Sequence, residues 1–174
     1  LMKGGTLIIL DGMKDVNAFF RALDCESAHL ATFLVPANIR MLLQFSADRL
    51  AAYADKIEFI ETGAAPISHS DMLKLCELLP GTRLFNTYAS TETGVVCTYN
   101  FNDGVTKQGC CGAPLMNSEV FITDDGRIAC KGKTLMSGYL NEPELTASVM
   151  REGSVYTADN GFFDEDGMLH ITGR

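Results

Sequence analysis

Over the first hundred residues, short apolar runs alternate with helical stripes, and this alternation constrains the fold of the chain more than any other feature. Thr6 to Leu10 reads as a short buried strand. Asp15 is placed to cap a helix whose Val16, Phe19, Phe20 and Leu23 form one apolar stripe. Leu30 to Val35 is a second strand stopped by Pro36, Asn38 to Phe45 is helical, and Ile57 to Glu61 is a third strand. Ser68 or Ser70 caps a helix carrying Met72, Leu75 and Leu79, which Pro80 and Gly81 end. Leu84 and Phe85 open a fourth strand that runs into the segment around Tyr88. Alternation of this kind predicts a parallel sheet covered by helices.

Beyond about Gly104 the rhythm changes. Short β-like runs are broken by Asp124-Asp125-Gly126 and by Asp164-Glu165-Asp166-Gly167, both good hairpin turns, with one helix from Pro143 to Met150. The expected fold is therefore α/β. Residues 1–104 would form a parallel-type sheet with flanking helices, and residues 105–174 a small antiparallel β-barrel-like subdomain.

Bulk properties narrow the function classes. An apolar content of 47% is enough for a real core. A net charge of −8 and the lack of any Lys/Arg cluster exclude a phosphate-backbone binder, so nucleic acid is not an expected partner. The cysteines Cys25, Cys76, Cys97, Cys110, Cys111 and Cys130 give no C-x-x-C spacing, and no His sits at zinc-ligand distance from a pair. Free thiols in a reducing, cytoplasmic setting are the expectation. No apolar run approaches the roughly 18 residues of a membrane span.

Two segments leave predicted strands with small or polar residues: Thr62 to Pro66 after the third strand, and Tyr88 to Gly94 after the fourth. In open parallel sheets ligands bind beyond the carboxyl ends of the strands, so neighbouring strands would place both segments along one crevice. The second segment, Asn86-Thr87-Tyr88-Ala89-Ser90-Thr91-Glu92-Thr93-Gly94, combines a flat aromatic face, hydroxyl donors and one hard carboxylate ligand. Those are the needs of a nucleotide–Mg²⁺ site.

The chain resembles the adenylate-forming superfamily of acyl-CoA synthetases, luciferase-like enzymes and peptide-synthetase adenylation domains. The family's "GGAPL" is similar to Gly63-Ala64-Ala65-Pro66-Ile67, and its "N-x-YG-[SP]-TE-x-G" to Asn86 through Gly94. "G-x-x-G-x-P" resembles Gly109 to Pro114, and "GYLN-x-PE-x-T" resembles Gly138 to Thr146. "TGD", "DEDG" and "GR" resemble Thr157-Ala158-Asp159, Asp164 to Gly167 and Gly173-Arg174. The motifs stand in the family's order over most of the chain. The family's glycine-rich phosphate loop and the Lys of its C-terminal domain are not among these residues. The expectation is a fragment of the large N-terminal domain, ending near a hinge and inactive alone.

The resemblance implies an AMP-forming acid–thiol ligase. A carboxylate attacks the α-phosphorus of ATP to give acyl-AMP, and CoA or a carrier-bound phosphopantetheine then takes the acyl group. It implies that Tyr88 stacks on adenine, Thr91 bonds the α-phosphate, Glu92 holds Mg²⁺, and Asp159 accepts both ribose hydroxyls. Gly63, Ala64, Ala65, Asn86, Ala89, Ser90 and Arg174 would line the nucleotide, with Thr91 and Glu92 as the catalytic pair. The chain departs from the family's glycines at Ala64, Ala89 and Ala158, where a methyl group is added and positive φ is disfavoured. An amino-acid adenylation domain and a non-catalytic relative remain open alternatives. A dinucleotide-binding oxidoreductase would need a G-x-G-x-x-G turn opening the first helix, which is lacking.

Overall fold

Asp15 starts the first helix by the device its position predicts: its carboxylate accepts the amide of Asn17 at 2.9 Å. In the computed structural model, which describes residues 4–27, 29–104 and 106–174, that helix is α1 (Val16–Leu23). It buries Phe19, Phe20 and Leu23. There follow β1 (Leu30–Phe33), α2 (Pro36–Phe45), α3 (Ala47–Ala51), β2 (Ile57–Thr62), α4 (His69–Leu78), β3 (Arg83–Ser90) and β4 (Gly94–Asn100). The ring of Pro36 presets the first turn of α2, so that helix begins two residues before Asn38. Ser68 caps α4 by accepting the amide of Asp71 at 3.1 Å.

The first sheet has the order β1-β2-β3-β4. Its first three strands are parallel, and β4 returns antiparallel to β3, making the sheet mixed. The helices lay Phe20, Leu42, Leu50, Met72 and Leu75 against Ile57, Ile60 and Leu84 in one core. Asn102 closes the corner between α4 and β3, donating its amide to the carbonyls of Leu79 (3.0 Å) and Thr82 (2.7 Å).

Thr6 to Leu10 corrects one expectation. The segment forms no strand, and Leu7, Ile8 and Ile9 are exposed. A strand needs a ladder partner, and among the described residues β1 is the sheet's first strand with β2 as its only neighbour.

The second sheet is antiparallel throughout. It runs β5 (Cys110–Gly112), β10 (Leu169–Gly173), β9 (Ser154–Phe163), β7 (Arg127–Gly132) and β6 (Ser118–Ile122), with β8 (Met150–Arg151) paired to β9. Both predicted hairpins form, β6–β7 around Asp124 to Gly126 and β9–β10 around Asp164 to Gly167. α5 (Pro143–Val149) lies between β7 and β8.

β5 joins the two sheets. The Asn86 side-chain amide donates to the Cys110 carbonyl at 2.7 Å, and Cys97 bridges Pro114. Gly112 makes the approach feasible: at φ +92 a Cβ on this residue would lie 2.0 Å from the Thr98 carbonyl oxygen. Gly112 of the 109–114 motif therefore serves the joint, while Gly109 lies against the Ile171 carbonyl of β10.

A charged clasp holds the far end of this joint. Lys107 reaches Asp164 at 2.8 Å and Asp166 at 2.6 Å, His170 Nε2 lies 3.0 Å from Asp164, and the amides of Asp166 and Met168 donate to Asp164 Oδ1. The hydrogen bond from Lys107, followed by those from the Met168 amide and His170, holds the Asp164 carboxyl well below its ordinary 3.8. Because the folded value is the lower one, the stabilisation is complete above that ordinary value and disappears as pH falls through the folded value. Asp164→Asn should therefore lower the thermal midpoint at neutral pH and flatten its decline below about pH 4. Thermal unfolding followed by circular dichroism across the acid range checks this; an unchanged acid slope would remove Asp164 as the group responsible.

Candidate active site

β2 and β3 are parallel neighbours, with Thr62 opposite Asn86, so both suspected segments leave the same carboxyl end of the sheet. They touch: a Cβ on Gly63 would sit 2.8 Å from the Thr87 carbonyl oxygen. Only glycine lets the 63–66 loop lie on β3 so closely.

The next residue, Ala64, holds φ +66. This is left-handed backbone, where a Cβ crowds the following carbonyl. Of the three alanines that stand where the family has glycine, Ala64 alone carries that strain. Ala89 and Ala158 lie in β3 and β9 with ordinary φ.

Tyr88, Ala89 and Ser90 are still part of β3, and Thr91 to Thr93 form the tight turn into β4. Ser90 and Thr93 build the turn. Ser90 Oγ accepts the amides of Glu92 (3.2 Å) and Thr93 (3.1 Å), and Thr93 Oγ1 accepts the Ser90 amide at 3.2 Å. Thr91 is left exposed at the tip and Glu92 half-buried beside it.

The Glu92 carboxylate accepts a 2.6 Å hydrogen bond from the Tyr139 hydroxyl at Oε1. That bond, ahead of the backbone and Ser90 contributions, draws the Glu92 carboxyl below its ordinary 4.5, and the same bond raises the Tyr139 hydroxyl above 10.0. Arg174 lowers the Glu92 value further through its charge.

From within β3 itself, the Tyr88 hydroxyl donates to Asp159 Oδ2 at 2.9 Å. Asp159 lies on β9, seventy-one residues later, and its own amide donates to Thr157 Oγ1 at 3.1 Å. Thr157 in turn donates to the Ile128 carbonyl at 2.8 Å, which pins β9 to β7 at this point. Arg174 lies 3.4 Å from Asp159 Oδ1, with its side chain otherwise open to solvent.

Tyr88 itself is 6% exposed, packed among Val96, Cys97, Cys111, Cys130 and Leu169. Burial raises its hydroxyl pKa, and the same burial pushes the thiols of Cys97, Cys111 and Cys130 up to about 12. Those thiols stay protonated at neutral pH and are poor nucleophiles. All six cysteines are free.

The structure thus gathers Gly63, Ala64, Ala65, Tyr88, Thr91, Glu92, Asp159 and Arg174 around the end of β3. Asn86 is used differently. It is 8% exposed, and its amide is taken up by the Cys110 carbonyl in the joint between sheets. Two contributors escaped the sequence reading: Tyr139, which lay inside a matched motif without a job, and Thr157, which sets the backbone of Asp159. No spacing in the sequence relates Tyr139 to Glu92, forty-seven residues away, whereas Thr157 stands two residues before the Asp159 amide it accepts.

With this geometry in place, comparison with known proteins decides the family. Residues 1–140 match the family model for AMP-binding enzymes. The chain belongs to the AMP-binding enzyme family. It is 29% identical to 4-coumarate-CoA ligase 1 of Narcissus pseudonarcissus over 99% of this chain and 34% of that protein. It is 35% identical to a 2-succinylbenzoate–CoA ligase of Geobacillus sp. (strain WCH70) over 64% of this chain and 24% of that protein. CoA ligases are thus among its relatives, and the chain spans about a third or less of their length. Among solved structures, the amide bond synthetase McbA of Marinactinospora thermotolerans superposes with TM-score 0.79 at 28% identity, over 90% of this chain and 33% of that one. CmiS6, at 24% identity and TM-score 0.84 over 96% of this chain and 45% of that one, shares the fold.

Ala64→Gly should relieve the left-handed strain of the 63–66 loop and raise stability by about 0.5–1 kcal/mol, the relief exceeding the entropy that glycine adds to the unfolded chain. Urea denaturation gives the value directly. A lower midpoint in the variant would mean that the loop tolerates Ala64 without strain.

Proposed function

We propose that this chain supplies the nucleotide-facing wall of an AMP-forming acid–thiol ligase, which joins a small-molecule carboxylate to ATP as acyl-AMP and passes the acyl group to CoA. The observation that carries the reading is the Tyr88–Asp159 hydrogen bond, because it brings two motifs distant in sequence together near the carboxyl end of β3. The CoA ligases among its relatives favour a thiol acceptor over the amine implied by an amide bond synthetase.

Asp159 suits a ribose diol. A carboxylate offers about four lone-pair sites; the Tyr88 hydroxyl takes one on Oδ2, and Arg174 forms an ion pair with Oδ1 at 3.4 Å, so both oxygens keep a site for a hydroxyl donor. For Tyr88 the burial supports a job other than stacking on adenine: its hydroxyl orients Asp159. Thr91, exposed at the turn, would offer its hydroxyl to the α-phosphate. Ser90 serves the turn itself.

The donor set at Glu92 fits a magnesium ion that arrives with a nucleotide. Among the described residues no group of three His, Cys, Asp or Glu is arranged to cage a metal. One carboxylate oxygen, completed by phosphate oxygens and water, is the usual protein share of a magnesium–nucleotide site. Bound there, the ion would neutralise charge on the phosphates as the α-phosphorus is attacked.

Glu92 would hold that ion while Thr91 orients the phosphate, and Asp159 would fix the ribose so that attack is in line. The attacking carboxylate is ionised at neutral pH, so none of these residues needs to remove a proton from it.

In the full-length protein, Asp159→Ala should weaken AMP binding about 10- to 100-fold, as expected for losing hydrogen bonds to a charged acceptor. Isothermal titration with AMP measures it, and unchanged affinity would refute the ribose role.

A further inference from the structure

Tyr139 reaches Glu92 from the segment between β7 and α5, and a series of contacts holds it there. The Met136 amide donates to the Glu92 carbonyl at 2.9 Å, and Thr134 Oγ1 donates to the Thr93 carbonyl at 2.7 Å. A Cβ on Gly94 would sit 2.8 Å from the Thr134 Cβ, so the segment lies directly on the 91–94 turn. On its other side, the Tyr139 amide donates to Thr146 Oγ1 at 2.9 Å, and that hydroxyl donates to the Glu142 carbonyl at 2.8 Å. The Glu142 amide returns to the Tyr139 carbonyl at 3.2 Å. Asn141 takes the left-handed φ of +59 that this tight path demands, a conformation Asn tolerates better than most residues. The motif from Gly138 to Thr146 is therefore a bracket. Its product is one phenolic hydroxyl aimed at Glu92 Oε1.

We propose that Tyr139 is the positioning residue of the cation site and sets its selectivity: its hydroxyl takes one lone pair of Glu92 Oε1 and stands against that oxygen, which disfavours an ion held by both oxygens. Calcium readily takes a carboxylate through both oxygens in a loose shell, whereas magnesium demands octahedral geometry with short, single-oxygen bonds. A carboxylate with one oxygen crowded and weakened as a ligand by a hydrogen-bond donor is suited to the smaller ion. The hydroxyl also fixes the rotation of the carboxylate, so the remaining oxygen faces one direction before any ion arrives. The proposal rests on the reading of Glu92 as the cation ligand, and the experiment separates the two.

The full-length protein is titrated with α,β-methylene-ATP, whose α–β bridge cannot be cleaved, in saturating Mg²⁺, in saturating Ca²⁺ and in EDTA. Tyr139→Phe, which deletes only the hydroxyl, should weaken binding with Mg²⁺ by about tenfold, the usual worth of a hydrogen bond to a charged group. Binding with Ca²⁺ should hold or tighten, and binding in EDTA should stay the same. Thr146→Val keeps the hydroxyl but loosens the bracket; it should shift the Mg²⁺/Ca²⁺ ratio in the same direction by a smaller factor, and it remains informative if Tyr139→Phe does not fold. Equal losses with both ions, or no loss, would overturn the selectivity role, because a merely structural effect does not distinguish them. Glu92→Gln is the control for the underlying reading: it should bring the Mg²⁺ value to that in EDTA. If Glu92→Gln leaves the Mg²⁺ value untouched, Glu92 is not the ligand and the proposal falls with it.

Discussion

The arrangement of the site depends on β3 being shared. One strand belongs to the parallel layer through β2, turns back into β4, and presents Asn86 and Tyr88 to the second sheet. Through Asn86 it holds β5, and through Tyr88 it holds β9. Both anchoring side chains are at most 8% exposed, so their polar groups must find partners within the protein. A buried hydroxyl without a partner costs about 1–3 kcal/mol. Asp159 satisfies Tyr88, and the bond that settles this packing requirement also sets the carboxylate at the site.

Structural and functional demands therefore fall on the same residues. Ser90 and Thr93 use their hydroxyls to close the turn, and that closure leaves Thr91 and Glu92 at its rim. Gly63 is needed because the 63–66 loop lies on the β3 backbone, and Gly112 because β5 lies on β4. In both places the motif glycine is explained by backbone approaching backbone, with no ligand required. Cys97, Cys111 and Cys130, expected from the sequence to be free thiols, pack in the cluster around Tyr88.

Much of the layout was legible beforehand because it rests on local rules. The caps at Asp15 and Ser68, the Pro80-Gly81 stop and the two Asp-Gly hairpins depend on a few neighbouring residues, and they form where the pattern places them. The reading failed where a local pattern lacked a tertiary partner. Thr6 to Leu10 has the composition of a strand and no ladder to join. It was incomplete at β3, where the strand continues through Tyr88 to Ser90 before turning, because antiparallel pairing with β4 is a long-range matter.

What the sequence determined by itself was the alternation of elements, the change to β structure past Gly104, and the identity of the polar groups carried by the motifs. These follow from periodicity, turn chemistry and residue type, all of which are local along the chain. Only the tertiary structure decided what those groups do to one another: Tyr88 grips Asp159, Asn86 serves the joint, and Tyr139 restrains Glu92. The physical reason is reach. A hydrogen bond acts over about 3 Å, and its partners here are separated by 71, 24 and 47 residues, so only the folded path of the chain brings them within range.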